Sequence, residues 1–202
     1  MPLDSKPSRD YRSNVEGLPK RFYKKGFSNF NADNGRLLKM KEGLKKFALD
    51  ENEKRSLVLC GNVGSGKTHL AISVLKNLPP KKHPYITDYM IRTNCLFLNA
   101  DQFFMQLQNV SLLEKTKDKH INDLLRVNEI VCLDDLSKFN FTPAKTENLY
   151  YFVNQAYMNE KRFIITTNYD ESELEGIDPR IYSRIAEMSL VIKFTDKDYR
   201  VG

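Results

Sequence analysis

Residues 61–68 form a glycine-rich stretch that ends in a lysine and a threonine, and they fit the pattern GxxxxGK[ST]. Glycines allow such a loop to wrap closely, so that backbone N–H groups point at phosphate oxygens, and the helix that follows adds favourable partial charge. The pattern predicts that Lys67 binds the β- and γ-phosphates of ATP and that the Thr68 hydroxyl ligates Mg²⁺. The predicted nucleotide-binding residues are Gly61, Asn62, Val63, Gly64, Ser65, Gly66, Lys67, Thr68 and His69.

Two adjacent acids, Asp134 and Asp135, follow an apolar run about 65 residues beyond the glycine-rich stretch. An apolar strand that ends in acids is the expected Walker B form. In this interpretation Asp134 holds Mg²⁺, mostly through water, and Asp135 polarises the attacking water, so that Lys67, Asp134 and Asp135 are catalytic. A pair of acids after a strand can also be a turn or a helix cap. The order of the two motifs along the chain favours the catalytic interpretation.

Further polar and basic residues follow the next apolar run. Asn168 comes directly after Ile164–Thr167 and is predicted to orient the attacking water, although asparagine is also a common turn residue. Arg180 and Arg184 lie four residues apart and so share one helix face. Such a pair can make surface salt bridges, but beside the earlier motifs it favours an arginine finger that reaches a neighbouring subunit's ATP.

Five short apolar runs separate these motifs and are predicted to be buried strands: 56–60, 95–99, 129–133, 162–166 and 190–194. Helical patterns lie between them at 69–78, from 101, at 121–126 and at 147–158, and another spans 35–50. Strands that alternate with helices predict a parallel sheet covered on both faces. The expected fold is therefore an α/β P-loop NTPase with a five-stranded parallel sheet.

Composition limits the other classes of protein. The net charge of +6 lies in the first part of the chain, since residues 1–55 hold 14 Lys and Arg against 8 Asp and Glu, whereas residues 56–202 hold 18 of each. That excess is typical of a solvated face or of a surface for nucleic acid or an acidic protein. No apolar run suits a membrane span or a signal peptide, so we expect a cytoplasmic protein without membrane contact. Cys60, Cys95 and Cys132 lack metal-binding spacing and are expected to be buried thiols.

Taken in order, these motifs resemble those of AAA+ ATPases. Gly66–Ala71 (GKTHLA), Asp134–Leu136 (DDL), Thr166–Asn168 (TTN), the segment around Arg184 and the upstream Phe27–Phe30 (FSNF) narrow the resemblance to DnaC/DnaI helicase loaders and related IstB transposition ATPases. It covers roughly residues 22–199. It implies an AAA+ ATPase domain at 22–202 that hydrolyses ATP with magnesium and lacks a C-terminal lid, after a flexible basic arm at 1–21. It also implies that Asn168 is sensor 1, that Arg184 is the arginine finger and that Arg180 is its helical neighbour.

The resemblance implies partners as well. Helicase loaders assemble side by side and load a replicative helicase onto single-stranded DNA, so we expect self-association through the Arg184 face, a helicase partner and contact with single-stranded DNA. The lysines expected to contact DNA are Lys115, Lys117 and Lys119, with Phe103 and Phe104 nearby as stacking surfaces. A solvated lysine loop and a phenylalanine in the core are the alternatives. Loaders usually carry a separate N-terminal helicase-binding domain, for which only about 20 residues are available here.

Three other functions remain open at this point. A transposition helper ATPase of the IstB kind would share the same motifs. A small-molecule P-loop kinase would need a second substrate pocket and an arginine-bearing lid, neither of which the sequence indicates. A binding module with a vestigial nucleotide site is disfavoured because Lys67, Thr68, Asp134 and Asp135 are all present.

Overall fold

The computed structural model describes residues 14–82, 90–91, 93–112, 116–136 and 141–195. A six-stranded sheet forms its centre, and every neighbouring pair of strands in it is parallel. The strands are β1 (Asn14–Glu16), β2 (Ser56–Gly61), β5 (Asn94–Asn99), β6 (Ile130–Leu136), β7 (Arg162–Thr167) and β8 (Ser189–Phe194). Their spatial order is β1-β5-β6-β7-β2-β8. A separate antiparallel pair, β3 (Lys81–Lys82) and β4 (Met90–Ile91), lies between β2 and β5 in the chain.

Seven helices connect the described strands or precede them. They are α1 (Gly35–Leu49), α2 (Lys67–Leu75), α3 (Ala100–Leu112), α4 (Lys117–Val127), α5 (Pro143–Met158), α6 (Glu171–Ile177) and α7 (Pro179–Met188). Helices α4 and α5 each begin four residues before the start predicted from periodicity. Thr116 and Thr142 explain this, because each side chain accepts a hydrogen bond from a backbone N–H of the first turn, and Pro143 suits the first position of α5.

Side chains of the strands alternate between two hydrophobic cores, one on each face of the sheet. In β2, Val58 and Cys60 point into a core closed by α3, α4, α5, α6 and α7. Leu57 and Leu59 point into the opposite core, which α1, α2 and the segment around Phe27 and Phe30 close. Because both faces of the sheet are buried, the sequences of its strands are continuous apolar runs. The predicted α/β fold with a parallel sheet flanked by helices is confirmed.

In the described part of the chain, the parallel sheet has one strand more than the predicted five. Asn14–Glu16 pair with Asn94–Leu96 at the edge of the sheet, and the Asn14 backbone N–H donates to the Thr93 carbonyl oxygen at 2.9 Å. The pairing satisfies backbone groups at the edge of β5 that would otherwise have no partner in the sheet. These residues lie within the expected flexible arm at 1–21, of which residues 1–13 are outside the described part of the chain. The domain boundary at residue 21 stays a prediction.

Two expectations about individual side chains can be compared with the structure. Phe103 and Phe104 are 0% and 2% exposed, so they belong to the core, which was the alternative to base stacking, and their rings are not available to stack on bases. Cys60, Cys95 and Cys132 are free and buried, as predicted. Among the described residues, no helix has both the length and the apolar character that a membrane crossing requires.

Candidate active site

The glycine-rich loop joins the end of β2 to the start of α2. Gly61 and Gly66 have φ angles of 112° and 95°, in the region that side chains rarely adopt. A Cβ atom on Gly61 would lie 2.0 Å from the Phe194 carbonyl oxygen, and one on Gly66 would lie 2.6 Å from the Phe30 ring. Only glycine therefore fits at either position. The loop consequently follows the close path that a phosphate-binding loop requires.

Lys67, the first residue of α2, is buried and points back along the loop. Its Nζ donates hydrogen bonds to the carbonyl oxygens of Gly61 at 2.8 Å and Asn62 at 2.5 Å. A third bond, at 2.9 Å, reaches Oδ1 of Asn168, which directly follows β7. The structure thus brings together two residues that lie 101 positions apart in the sequence and that the motifs assigned to the same site.

Asp134 lies in β6 and is 6% exposed. Its Oδ1 accepts a hydrogen bond from the Thr166 hydroxyl at 2.7 Å, and the Thr68 side chain is also hydrogen-bonded to this carboxyl. Burial raises the pKa of Asp134, while the bonds from Thr166 and Thr68 lower it. A hydroxyl and a carboxyl that meet beside a phosphate loop are the oxygen ligands that Mg²⁺ prefers. The geometry fits the predicted magnesium ligands Thr68 and Asp134.

Asp135 departs from regular strand geometry. Its φ angle is 60°, and the ladder between β6 and β7 is interrupted between Leu133 and Leu136. The Asp135 N–H donates to the Thr166 hydroxyl oxygen at 2.9 Å, so one threonine holds the side chain of Asp134 and the backbone of Asp135. The irregularity leaves the Asp135 side chain exposed next to the loop. Backbone strain of this kind is concentrated at functional sites.

A cavity of about 540 Å³ joins these groups at the carboxyl ends of the strands. Its volume is in the range of small-molecule sites. One wall is the glycine-rich loop with Lys67, Thr68 and His69, and another is formed by strand ends: Asn99, Asp134, Asp135, Thr166 and Asn168. The third wall is what we call the N-terminal segment, residues 20–31, of which Arg21, Phe22, Lys25, Asn29, Phe30 and Asn31 line the cavity. The motifs assigned no role in the site to Asn99, Thr166 or Arg21, although Thr166 begins the TTN segment.

The cavity lacks a protein cage for a metal ion. In the part of the chain that the structure describes, no three His, Cys, Asp or Glu residues group closely enough to hold one. Magnesium usually binds through one or two protein oxygens together with phosphate oxygens. The backbone N–H groups, Lys67, Thr68 and Asp134 therefore fit a magnesium-bound nucleotide better than a free metal ion.

A larger cavity, of about 1030 Å³, opens at the opposite ends of the strands, beside Glu129 and Arg162. It contains no glycine-rich loop, and it lies at the amino ends of the parallel strands. Ligands of open parallel sheets bind outside the carboxyl ends. The larger cavity is therefore not the candidate active site. The candidate active site is the cavity of about 540 Å³ beside the glycine-rich loop.

His69 attaches the N-terminal segment to α2. Its Nε2 lies 3.0 Å from the Gly26 carbonyl oxygen and 3.2 Å from Asn29 Oδ1, and the Phe30 ring packs edge-on at 5.2 Å. Burial lowers the pKa of His69, and the hydrogen bond to Gly26 opposes that shift. Its place in the cavity wall agrees with the predicted nucleotide-binding set, and its contacts are those of a packing residue. A direct contact with nucleotide stays a prediction.

Arg180 and Arg184 lie on α7, outside the residues that line the cavity of their own chain. Arg180 forms an ion pair with Asp178 at 2.7 Å. Arg184 donates to Asn154 Oδ1 at 3.0 Å and to the Arg180 carbonyl oxygen at 2.9 Å, and it stacks on Tyr150 with 5.3 Å between guanidinium and ring centre. No carboxylate pairs with Arg184 within the described ranges. The two predicted candidates therefore differ, since only Arg180 is neutralised by an acid.

The predicted DNA-contact lysines are only partly described. Lys117 and Lys119 lie in the first turn of α4, where Lys119 is exposed and Lys117 is partly buried. Lys115 is outside the described residues. Helix α4 packs against α3 and α5, on the face of the sheet opposite to α1.

The fold and the cavity define a P-loop ATPase domain of the AAA+ class. Residues 25–193 match the family model described as the bacterial DnaA ATPase domain, and the chain belongs to that family. The chromosomal replication initiator protein DnaA of Acholeplasma laidlawii is 25% identical over 143 residues, which cover 70% of this chain and 30% of that protein. The chain thus spans about a third of the length of such curated relatives.

Solved structures show the same fold. A crystal structure of the DnaC helicase loader has a TM-score of 0.71 and 23% identity, and the match covers 88% of this chain and 100% of that one. The replication initiator DnaA bound to AMPPCP and single-stranded DNA has a TM-score of 0.59 and 20% identity, with 87% of this chain and 51% of that one covered.

We expect His69 to make stability depend on pH. Because burial lowers its folded-state pKa, the unfolded chain binds a proton near pH 6.5 that the folded chain does not. This contribution is complete above about pH 6.5 and is lost as the pH falls through the folded-state pKa. The free energy of unfolding should therefore decrease more in wild type than in His69→Gln between about pH 7.5 and 5.5.

Chemical denaturation of both proteins at the two pH values measures this difference. Glutamine keeps a polar group near Gly26 but cannot titrate, so it isolates the charge. Equal pH dependence in the two proteins would show that His69 does not resist protonation in the folded state.

Proposed function

We propose that this chain binds and hydrolyses ATP with magnesium as a replication AAA+ ATPase of the helicase-loader type. The observation that carries the proposal is the convergence of Lys67, Thr68, Asp134, Asp135 and Asn168 on one cavity at the carboxyl edge of the sheet. Membership of the DnaA ATPase-domain family supports nucleotide binding. The likeness in fold to the DnaC loader supports the loader type.

We assign a role to each of these residues, and the geometry of the cavity supports the assignment. The loop N–H groups and Lys67 bind the phosphates, and Thr68 with Asp134 hold magnesium through their oxygens. When bound, magnesium neutralises negative charge on the phosphate oxygens. Asp135, exposed at the strand irregularity, orients the attacking water and accepts its proton. Asn168 holds the Lys67 ammonium group and faces the same cavity, where its amide can also orient the water.

Charge that grows on the γ-phosphate during hydrolysis requires a cation in addition to Lys67. We assign that role to Arg184 of an adjacent subunit, and this assignment predicts self-association through the Arg184 face. Arg184 is held by neutral hydrogen-bond acceptors and by aromatic rings, so no carboxylate in the described residues neutralises its charge. A cation placed where charge grows in the transition state is among the stronger contributions to catalysis.

The partners are proposed from likeness to relatives. A related initiator was solved with single-stranded DNA, and the DnaC protein is a helicase loader. We propose that this chain likewise acts on a replicative helicase and contacts single-stranded DNA, with Lys115, Lys117 and Lys119 binding its phosphates. Since both aromatic candidates are buried, we expect binding through phosphates and not through base stacking.

Two inactive variants should restore activity when mixed. Arg184→Ala keeps an intact phosphate loop, and Lys67→Ala keeps an intact finger. Each alone should lose about 10³-fold in ATP turnover, whereas a 1:1 mixture should regain activity at roughly a quarter of the subunit junctions. Phosphate release measures this directly. Arg126→Ala is the matched control, because Arg126 is an exposed arginine on α4 whose side chain lies away from the cavity.

The outcome distinguishes two parts of the proposal. A mixture as inactive as its components, with an active wild type, would contradict a finger that acts between subunits. A wild type that hydrolyses no ATP at any protein concentration, with or without single-stranded DNA, would contradict ATP hydrolysis itself.

Binding of single-stranded DNA should depend on α4. Replacing Lys117 and Lys119 together by glutamine should weaken binding of a thymidine oligonucleotide and make the slope of log K against log salt shallower by about 1.4, which is 0.7 for each phosphate that a lysine no longer neutralises. Fluorescence anisotropy at several salt concentrations measures both quantities. The control is Lys45→Gln with Lys46→Gln, which removes the same charge from exposed positions on α1. Equal slopes for the two double variants would exclude α4 as the DNA surface.

A further inference from the structure

Arg21 is a cation in the cavity wall that no motif assigns. It lies on a single 3-10 turn, Lys20–Phe22, and lines the cavity together with Asn99, Asp134 and Asp135. Its neighbours Lys20 and Tyr23 do not line the cavity. The turn therefore directs one of its charged side chains toward the site.

Hydrogen bonds and a ring contact fix the backbone of this 3-10 turn. The Phe22 N–H donates to the Pro19 carbonyl oxygen at 2.9 Å, and the Phe22 ring packs edge-on against Phe97 of β5 at 6.0 Å. Lys76, just beyond α2, donates from Nζ to the carbonyl oxygens of Phe22, Tyr23 and Lys25 at 3.3, 2.7 and 2.8 Å. The N-terminal segment is thus fastened to the helix that carries Lys67 and Thr68.

The guanidinium group itself is exposed and is oriented by a ring. It lies 4.6 Å from the centre of the Phe22 ring, a cation–π distance that limits its conformations. Arg21 lines the same cavity as Asp134 and Asp135. An arginine in that position has the planar donor geometry that suits phosphate oxygens.

We propose that Arg21 binds the terminal phosphate of the nucleotide in its own subunit. The inference rests on the proposed ATP site and adds to it a cation supplied from the N-terminal side of the chain. Arg21 then complements Arg184, which approaches from the adjacent subunit.

Titration calorimetry with magnesium tests this by comparing AMPPCP, which keeps three phosphates, with ADP. Arg21→Gln should weaken AMPPCP binding about tenfold, the value of a charge-assisted hydrogen bond, and leave ADP within about twofold of wild type. Lys20→Gln, the matched control, removes the same charge from the same turn outside the cavity. It should leave both affinities within about twofold of wild type. Arg21→Lys should recover part of the AMPPCP affinity because it restores the charge.

Each of the following results would overturn the proposal. Equal weakening of both nucleotides by Arg21→Gln would place Arg21 away from the terminal phosphate, and unchanged affinities would remove it from the site. A lower thermal midpoint for Arg21→Gln than for Lys20→Gln, without nucleotide, together with equal weakening would indicate a structural role. If wild type binds neither nucleotide, the proposed ATP site fails along with the inference. If wild type binds both nucleotides and Arg21→Gln binds them equally well, the inference about Arg21 fails but the proposed ATP site does not.

Discussion

In a parallel sheet the carboxyl ends of all strands lie along one edge, and this constraint places the glycine-rich loop, the two acids and Asn168 of the candidate site. Strands β6, β7 and β2 are neighbours in space although they are far apart in sequence. The residues at or just after their carboxyl ends are therefore side by side: Asp134 and Asp135, then Asn168, then the glycine-rich loop. The hydrogen bond from Lys67 to Asn168 joins the last two across the edge of the sheet. Burial of both faces of the sheet by helices keeps this edge fixed, so the site is organised by the fold itself.

Thr166 holds the two adjacent acids at this edge in different positions. Its hydroxyl donates to Asp134 and accepts from the backbone of Asp135, at the point where β6 leaves regular pairing with β7. One acid consequently stays buried next to Thr68, and the other is exposed at a positive φ angle. Two adjacent aspartates thereby obtain different surroundings, which suits the separate roles proposed for them as magnesium ligand and base.

The sequence predicted those parts of the molecule that local patterns determine. Apolar runs located five strands, and the spacing of Lys67, Asp134 and Asn168 located the site between them. The starts of α4 and α5 were also encoded, in Thr116 and in Thr142–Pro143, but hydrophobic periodicity alone placed them four residues too late. Strand β1, Thr166 and Arg21 could not be predicted in this way. The three residues of β1 are too few to show a strand pattern. Thr166 gains its role only because β6 and β7 lie side by side, and Arg21 only because the N-terminal segment is attached to α2.

The central claim is that the cavity beside Lys67 binds magnesium and ATP, and titration calorimetry of Lys67→Ala tests it most directly. Lys46→Ala, an exposed lysine in the last turn of α1, is the control. The wild type and Lys46→Ala should bind ATP with similar affinity and more tightly with magnesium than without it. Lys67→Ala should lose at least about 100-fold in affinity, because an unscreened charge-assisted interaction with two phosphates is removed. Wild-type affinity in Lys67→Ala would contradict the assignment of this cavity as the nucleotide site.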